Sequence, residues 1–188
     1  MANRDTPSGA RPVGHLTGGL VRPAMEPFAF ADDYATATYS GDFVKLLDTG
    51  VIARAAAGDE LLGVFYGVQY KTDNGEYVFS KHWPAAQSAS EIKAFVYSDP
   101  NIIYEIQHDS DSATPAAADV GLCYDIVATA GSTVFQVSRE EIDTSTGLTA
   151  SGQLRQIGFV ERADNEIGEF AKALVVINEH IYRGTDGI

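Results

Sequence analysis

The chain is poor in everything that would crosslink it, fix it in a membrane or draw it to nucleic acid. Of 188 residues only Cys123 is a cysteine, which excludes an intrachain disulfide and leaves stability to packing and assembly. The longest strongly apolar run, 173–177, is far too short to cross a bilayer, and the N-terminus has no apolar core of a secretory leader. A soluble, unprocessed protein made in a reducing cytoplasm is therefore expected, with no membrane partner. Thirteen Lys and Arg stand against 26 Asp and Glu, a net charge of −13, so nucleic acid is not an expected partner either.

Reactive groups are equally sparse. His15, His82, His108 and His180 are far apart and form no HxH, HxxxH or HExxH unit, which predicts surface or hydrogen-bonded histidines and no metal site. The run Asp109-Ser110-Asp111-Ser112 offers oxygens but lacks the glycine and the later glutamate of a calcium loop, and reads as a solvated acidic loop. No GxSxG elbow occurs, Gly18-Gly19 lacks phosphate-loop spacing, and Cys123 between Leu122 and Tyr124 reads as a small core residue. Asp32-Asp33 and Glu140-Glu141 are adjacent pairs, which point to opposite faces of a strand. The expectation is a protein that is not an enzyme, with no catalytic residue and no cofactor.

What is present is short strands separated by turn chemistry, without an amphipathic helix of several turns. Segments 34–39 and 42–47 flank Ser40-Gly41 as a possible hairpin, and 51–55 follows Gly50. In 61–70 strict alternation puts Leu62, Val64, Tyr66, Val68 and Tyr70 on one face and Gly63 and Gly67 on the other, where another backbone could approach closely. Asp73-Asn74-Gly75 is the strongest turn signal and predicts a hairpin to 77–81. Further strands are read at 92–97, 102–107, 123–129, 133–137, 154–161 and 171–182, and in 102–107 Glu105 and Gln107 are placed on a wet face. Thr114 before Pro115 predicts a helix of a turn or two to Val120. Ser138 to Glu141 matches a capping box, but a plain loop follows it.

The fold class expected is mainly β: a compact β-barrel or β-sandwich body at 28–188, an extended N-terminal arm at 1–27, and at most short helices. The arm holds glycines 9, 14, 18 and 19 and prolines 7, 12, 23 and 27, so it is expected to be ordered mainly by something it touches. Its charge differs from the body's: 1–25 carry Arg4, Arg11 and Arg22 against Asp5, or +2, and the remainder carries −15. Among the aromatics, Phe65, Phe79, Phe95 and Tyr104 are assigned to the core, while Tyr70, Trp83 and Tyr97 are left open for a subunit interface.

Met1-Ala2-Asn3-Arg4-Asp5, Pro7-Ser8-Gly9, Pro12, His15 and Gly18-Gly19 resemble the N-terminus of head decoration (capsid-stabilising, or cement) proteins of marine tailed bacteriophages. The resemblance continues at Gly63-Val64-Phe65-Tyr66-Gly67, Phe79-Ser80-Lys81-His82-Trp83-Pro84, Asp99-Pro100-Asn101-Ile102-Ile103 and toward Glu179-His180. It implies a virion protein on the outer surface of the capsid, made in the host cytoplasm, whose partner is the major capsid protein. It also implies a homo-oligomer, with a trimer favoured, and an N-terminal segment lying on the capsid. On that basis Arg4, Arg11, His15, Leu20 and Arg22 are the expected capsid-binding residues. A glycan-binding or host-surface adhesion module, and a tail-tube or head-completion protein, are the alternatives.

Overall fold

A computed structural model describes residues 3–24, 28–148 and 150–184; Met1, Ala2 and positions 25–27 of the expected arm lie outside that set. The chain is mainly β, with strands β1 (Arg11–His15), β2 (Thr38–Tyr39), β3 (Phe43–Leu46), β4 (Ile52–Arg54), β5 (Gly63–Lys71), β6 (Tyr77–Ser80) and β7 (His82–Trp83) in its first half. The second half adds β8 (Ser90–Tyr97), β9 (Ile102–Gln107), β10 (Cys123–Tyr124), β11 (Ile126–Val127), β12 (Glu141–Ile142), β13 (Leu154–Phe159) and β14 (Lys172–Ile177). Among the described residues the helical elements are two single 3-10 turns, Ala117–Asp119 and Thr144–Thr146.

Two larger antiparallel sheets, with the two-stranded pairs β2-β7 and β11-β12 beside them, form the body, and they do not close into a barrel. The first runs β1-β9-β14-β13-β10. The second is built around β5, whose one edge pairs with β8 from Val64 to Lys71 while β3 and β6 share the other. Phe43 and Val64 of the second sheet join Ile102, Tyr104, Ile106, Leu154 and Val175 of the first in one core. The opposite face of β3, β5 and β8 presents Val44, Phe65, Val68, Ala94 and Val96 to a second core, plugged by Phe30 and Trp83. Phe30 stacks on Trp83 at 5.3 Å, and Tyr70 meets the same indole edge-on at 5.5 Å.

The 73–75 turn closes the predicted hairpin, with Lys71 opposite Tyr77. Other expectations are corrected. β2 pairs with β7 and not with β3, so Ser40-Gly41 turns the chain between sheets. β9 is covered on both faces: Glu105 is held by a two-pronged ion pair to Arg162 at 2.9 Å, and Gln107 accepts from the Thr6 amide at 3.3 Å. Positions 133–137 form a tight exposed turn and not a strand.

The N-terminal segment lies on its own body. β1 is an outer strand of the first sheet, Ala10 is buried in the first core, and its amide donates to Gly41 O at 2.9 Å. Gly9 has φ +69°, and a Cβ there would sit 2.3 Å from Ser138 Oγ, so both the backbone angle and the space require glycine. Asn3 donates to the carbonyls of Glu166 and Glu169, and the Ala24 amide donates to Val96 O at 2.7 Å. Partners up to 166 residues away in sequence order this Gly/Pro-rich stretch.

Candidate docking surface

Strict alternation fails in β5 because of a bulge. Phe65 pairs with Val96 and Gly67 with Phe95, so Tyr66 is the extra residue and the parity of the strand reverses there. Val68 and Tyr70 consequently point into the second core with Phe65, while Gly67, Gln69 and Lys71 face outward. In β6 Val78 packs inward and Tyr77 and Phe79 are both 58% exposed. In β8 Ile92, Ala94 and Val96 pack inward, leaving Lys93, Phe95 and Tyr97 on the outer face.

The outward residues form one aromatic surface. Tyr97 meets Tyr66 edge-on at 5.7 Å, Tyr66 lies 6.5 Å from Phe79, and Phe79 lies 5.8 Å from Phe95. Gly67 makes room beneath it: a Cβ there would stand 2.9 Å from Ser80 O and 3.5 Å from the Phe79 ring. At one end Tyr77 donates to Glu91 at 2.7 Å and Lys71 pairs with the same carboxylate at 3.1 Å, with its ammonium 5.5 Å from the Tyr77 ring. The two hydrogen bonds to Glu91 hold its carboxyl below the ordinary value, and raise the Tyr77 and Lys71 values in return. At the other end a groove of about 200 Å³ is lined by Tyr66, Tyr97, Val64, Ser8, Arg11 and Ser40.

The candidate interface residues separate. Tyr97 belongs to this surface, but Trp83 is fully buried and Tyr70 is 6% exposed, so both serve the second core and neither is available to a partner. Phe79, expected in the core with the other large aromatics, is instead among the most exposed rings of the chain. Phe65 and Tyr104 are buried as expected, and Phe95 is half-buried.

Of the N-terminal residues, His15, Leu20 and Arg22 are brought together, lining one cleft with Pro23 and Asp99. Arg11 lies at the groove beside Tyr66, and Arg4 beside Phe170 and Lys172. Leu20 is 81% exposed and the three arginines are exposed. His15 is committed internally. Its Nδ1 accepts from the amides of Thr17 (3.2 Å) and Gly19 (3.1 Å), which fixes the proton on Nε2, and that atom donates to Asp99 at 3.0 Å.

Two charged clusters bring together residues far apart in the sequence. Asp42 and Glu140, both fully buried, converge on Arg54, at 3.3 and 2.9 Å from its guanidinium. Glu140 also accepts from the Phe43 amide and Asp42 from the Tyr39 amide, each at 2.7 Å, so the group ties the 128–140 loop to β3. Burial raises both carboxyl values, Glu140's strongly, against the opposing pull of Arg54. Asp109, Asp111 and Asp143 bring carboxylate oxygens within 4.8 Å of one another, but Asp109 is already bonded to Thr144 and Asp143 to Ser145. No helix among the described residues is long and apolar enough to cross a membrane.

No family model, curated protein or solved structure matches this chain.

Proposed function

We propose that this is a non-enzymatic virion structural protein that binds the outer surface of an assembled phage capsid and bridges neighbouring copies of the major capsid protein. The observation that carries this reading is the run of contacting rings on the outer face, exposed at Tyr66 and Phe79 and half-buried at its ends, Tyr97 and Phe95, with Lys71 and Lys93 beside it on a chain of net charge −13. Rings in mutual contact bury large area at little entropic cost, and they are the side chains enriched in protein interfaces. At the rim Lys71 is paired with Glu91, which leaves exposed Lys93 to favour an acidic capsid surface. Arg4, Arg11, Leu20 and Arg22, displayed on a segment already ordered by the body, supply a second line of contact without the cost of ordering a free arm. A homotrimer spanning capsomer junctions would repeat these contacts, and repetition would supply avidity. Because it binds the assembled shell, the protein would stabilise that state by mass action.

The test is to add purified, labelled protein to expanded heads that lack it and to image them by electron cryo-microscopy. Occupancy across the whole shell is expected. Density at the tail or neck alone, or no density, would reject the proposal.

The aromatic surface also favours a second reading, a glycan-binding module. Tyr66 and Tyr97 wall a groove whose polar groups come from Ser8, Arg11 and Ser40, which suits a sugar ring lying on an aromatic face. That reading requires carbohydrate binding in the absence of capsid, measured by calorimetry or on a glycan array.

A further inference from the structure

The 128–139 loop carries a finger whose tip stands in solvent. Val134 and Phe135 at its tip are 81% and 76% exposed, and Val137 is 40% exposed. The tip is built and not loose: Ser132 N donates to Val137 O at 2.8 Å, Gln136 N to Ser132 O at 2.7 Å, and Phe135 N to Ser132 Oγ at 3.2 Å. Its stem is fixed as well, with Gly131 against the Tyr39 ring, Arg54 donating to Thr129 O, and Glu140 buried under β3. A rigid turn thus holds two large apolar side chains in water.

A complementary feature lies at the far end of β13. Val120, Phe159 and Ile167 line an open cleft of about 540 Å³ together with Ala117. Val120 and Ile167 are 47% and 53% exposed. The chain around this cleft is acidic: 159–170 hold Glu161, Asp164, Glu166 and Glu169 against Arg162, whose guanidinium is engaged by Glu105 and Asp164. The finger is the reverse, since 126–139 carry Arg139 and no acidic residue. On a body of net charge −13, two copies repel unless the meeting surfaces differ in charge, and this pair does.

We infer that the Val134-Phe135 finger of one copy inserts into the Val120/Phe159/Ile167 cleft of another. The two surfaces differ, so the contact is head-to-tail and either closes into a ring or extends. This does not depend on what the assembled protein attaches to.

The full chain is to be examined by native mass spectrometry and by light scattering across a concentration series. Self-association is expected, weakened about 30-fold by Phe135→Ser and to a similar degree by Val120→Glu or Ile167→Glu, since buried aromatic anchors dominate such contacts. Circular dichroism and melting confirm the fold of each variant, and Ile167→Glu replaces Val120→Glu if the latter fails to fold. In a Cys123→Ser background, mixing F135C with I167C should give a disulfide-linked dimer that neither gives alone. A monomeric wild type, association unchanged in a folded variant of either surface, or absence of the mixed disulfide would overturn the inference. Loss of capsid binding by Phe135→Ser with a monomeric wild type would assign the finger to a different partner, and would overturn it too.

Discussion

The two faces of the second sheet carry similar side chains to opposite ends. Behind β5, β6 and β8 the rings of Phe65, Tyr70, Trp83 and Phe30 interlock out of water; in front, exposed Tyr66 and Phe79 meet each other and half-buried Phe95, and Tyr77 stands in water beside Lys71. Charge divides the same way. Arg54 is sealed among Asp42 and Glu140, whereas Lys71 and Glu91 pair on the open surface. Residue type therefore does not distinguish scaffold from docking surface. The decisive variable is which side of a bulged strand each residue falls on.

Substitutions at matched positions on the two faces sharpen this contrast. Trp83→Ala should have the largest effect, about 3–5 kcal/mol in denaturant unfolding, because it leaves a cavity bounded by Phe30 and Tyr70. Arg54→Met strands two buried carboxylates and should cost about 3 kcal/mol or more near neutral pH. Both carboxyls have raised folded values, so the folded state retains protons that the unfolded state has released. The loss should therefore shrink as pH falls toward the ordinary carboxylate range, and a penalty independent of pH would contradict the assignment.

Half-buried Glu141 lies between the extremes. Burial, with Asp5, Asp109 and Asp111 nearby, raises its carboxyl to about 7 from 4.5. The folded state binds the extra proton between those values, so Glu141 lowers stability progressively as pH rises from about 4.5 to 7. Glu141→Gln should raise the melting temperature at pH 8 and leave it nearly unchanged at pH 4.5. On the open face, Phe79→Ser should change stability by no more than about 0.5–1 kcal/mol, and Lys71→Met should leave the melting temperature close to wild type. A cost at Phe79 equal to that at Trp83 would erase the distinction between the faces.

Much of the scaffold was legible from local pattern. The all-β class, the hairpin across Asp73-Asn74-Gly75 and strands at 92–97, 102–107, 154–161 and 171–182 follow from alternation and turn chemistry, though the last two strands stop earlier, at Phe159 and Ile177. The buried free Cys123 follows from its apolar neighbours. The outer aromatic face was not legible. The bulge at Tyr66 reverses parity and no residue type marks it, so alternation alone puts Tyr66 on one face with Val68; a second register shift follows between Gln69 and Lys71. Composition marks the N-terminal stretch as rich in Gly and Pro but could not supply its partners, since Gly41, Gln107 and Ser138 come from distant strands and loops. Deleting residues 1–25 would remove β1 and buried Ala10, so it tests folding as much as attachment. Exchanging Arg4, Arg11 and Arg22 for serine tests attachment without that confusion.

The central claim is that the open aromatic face is the attachment surface. Its most direct test is the occupancy of expanded heads by the Tyr66→Ser/Phe79→Ser double variant at matched concentration, with its melting temperature measured in parallel. Loss of capsid-wide occupancy with a melting temperature close to wild type is the predicted result. Normal occupancy by the folded double variant would contradict the account.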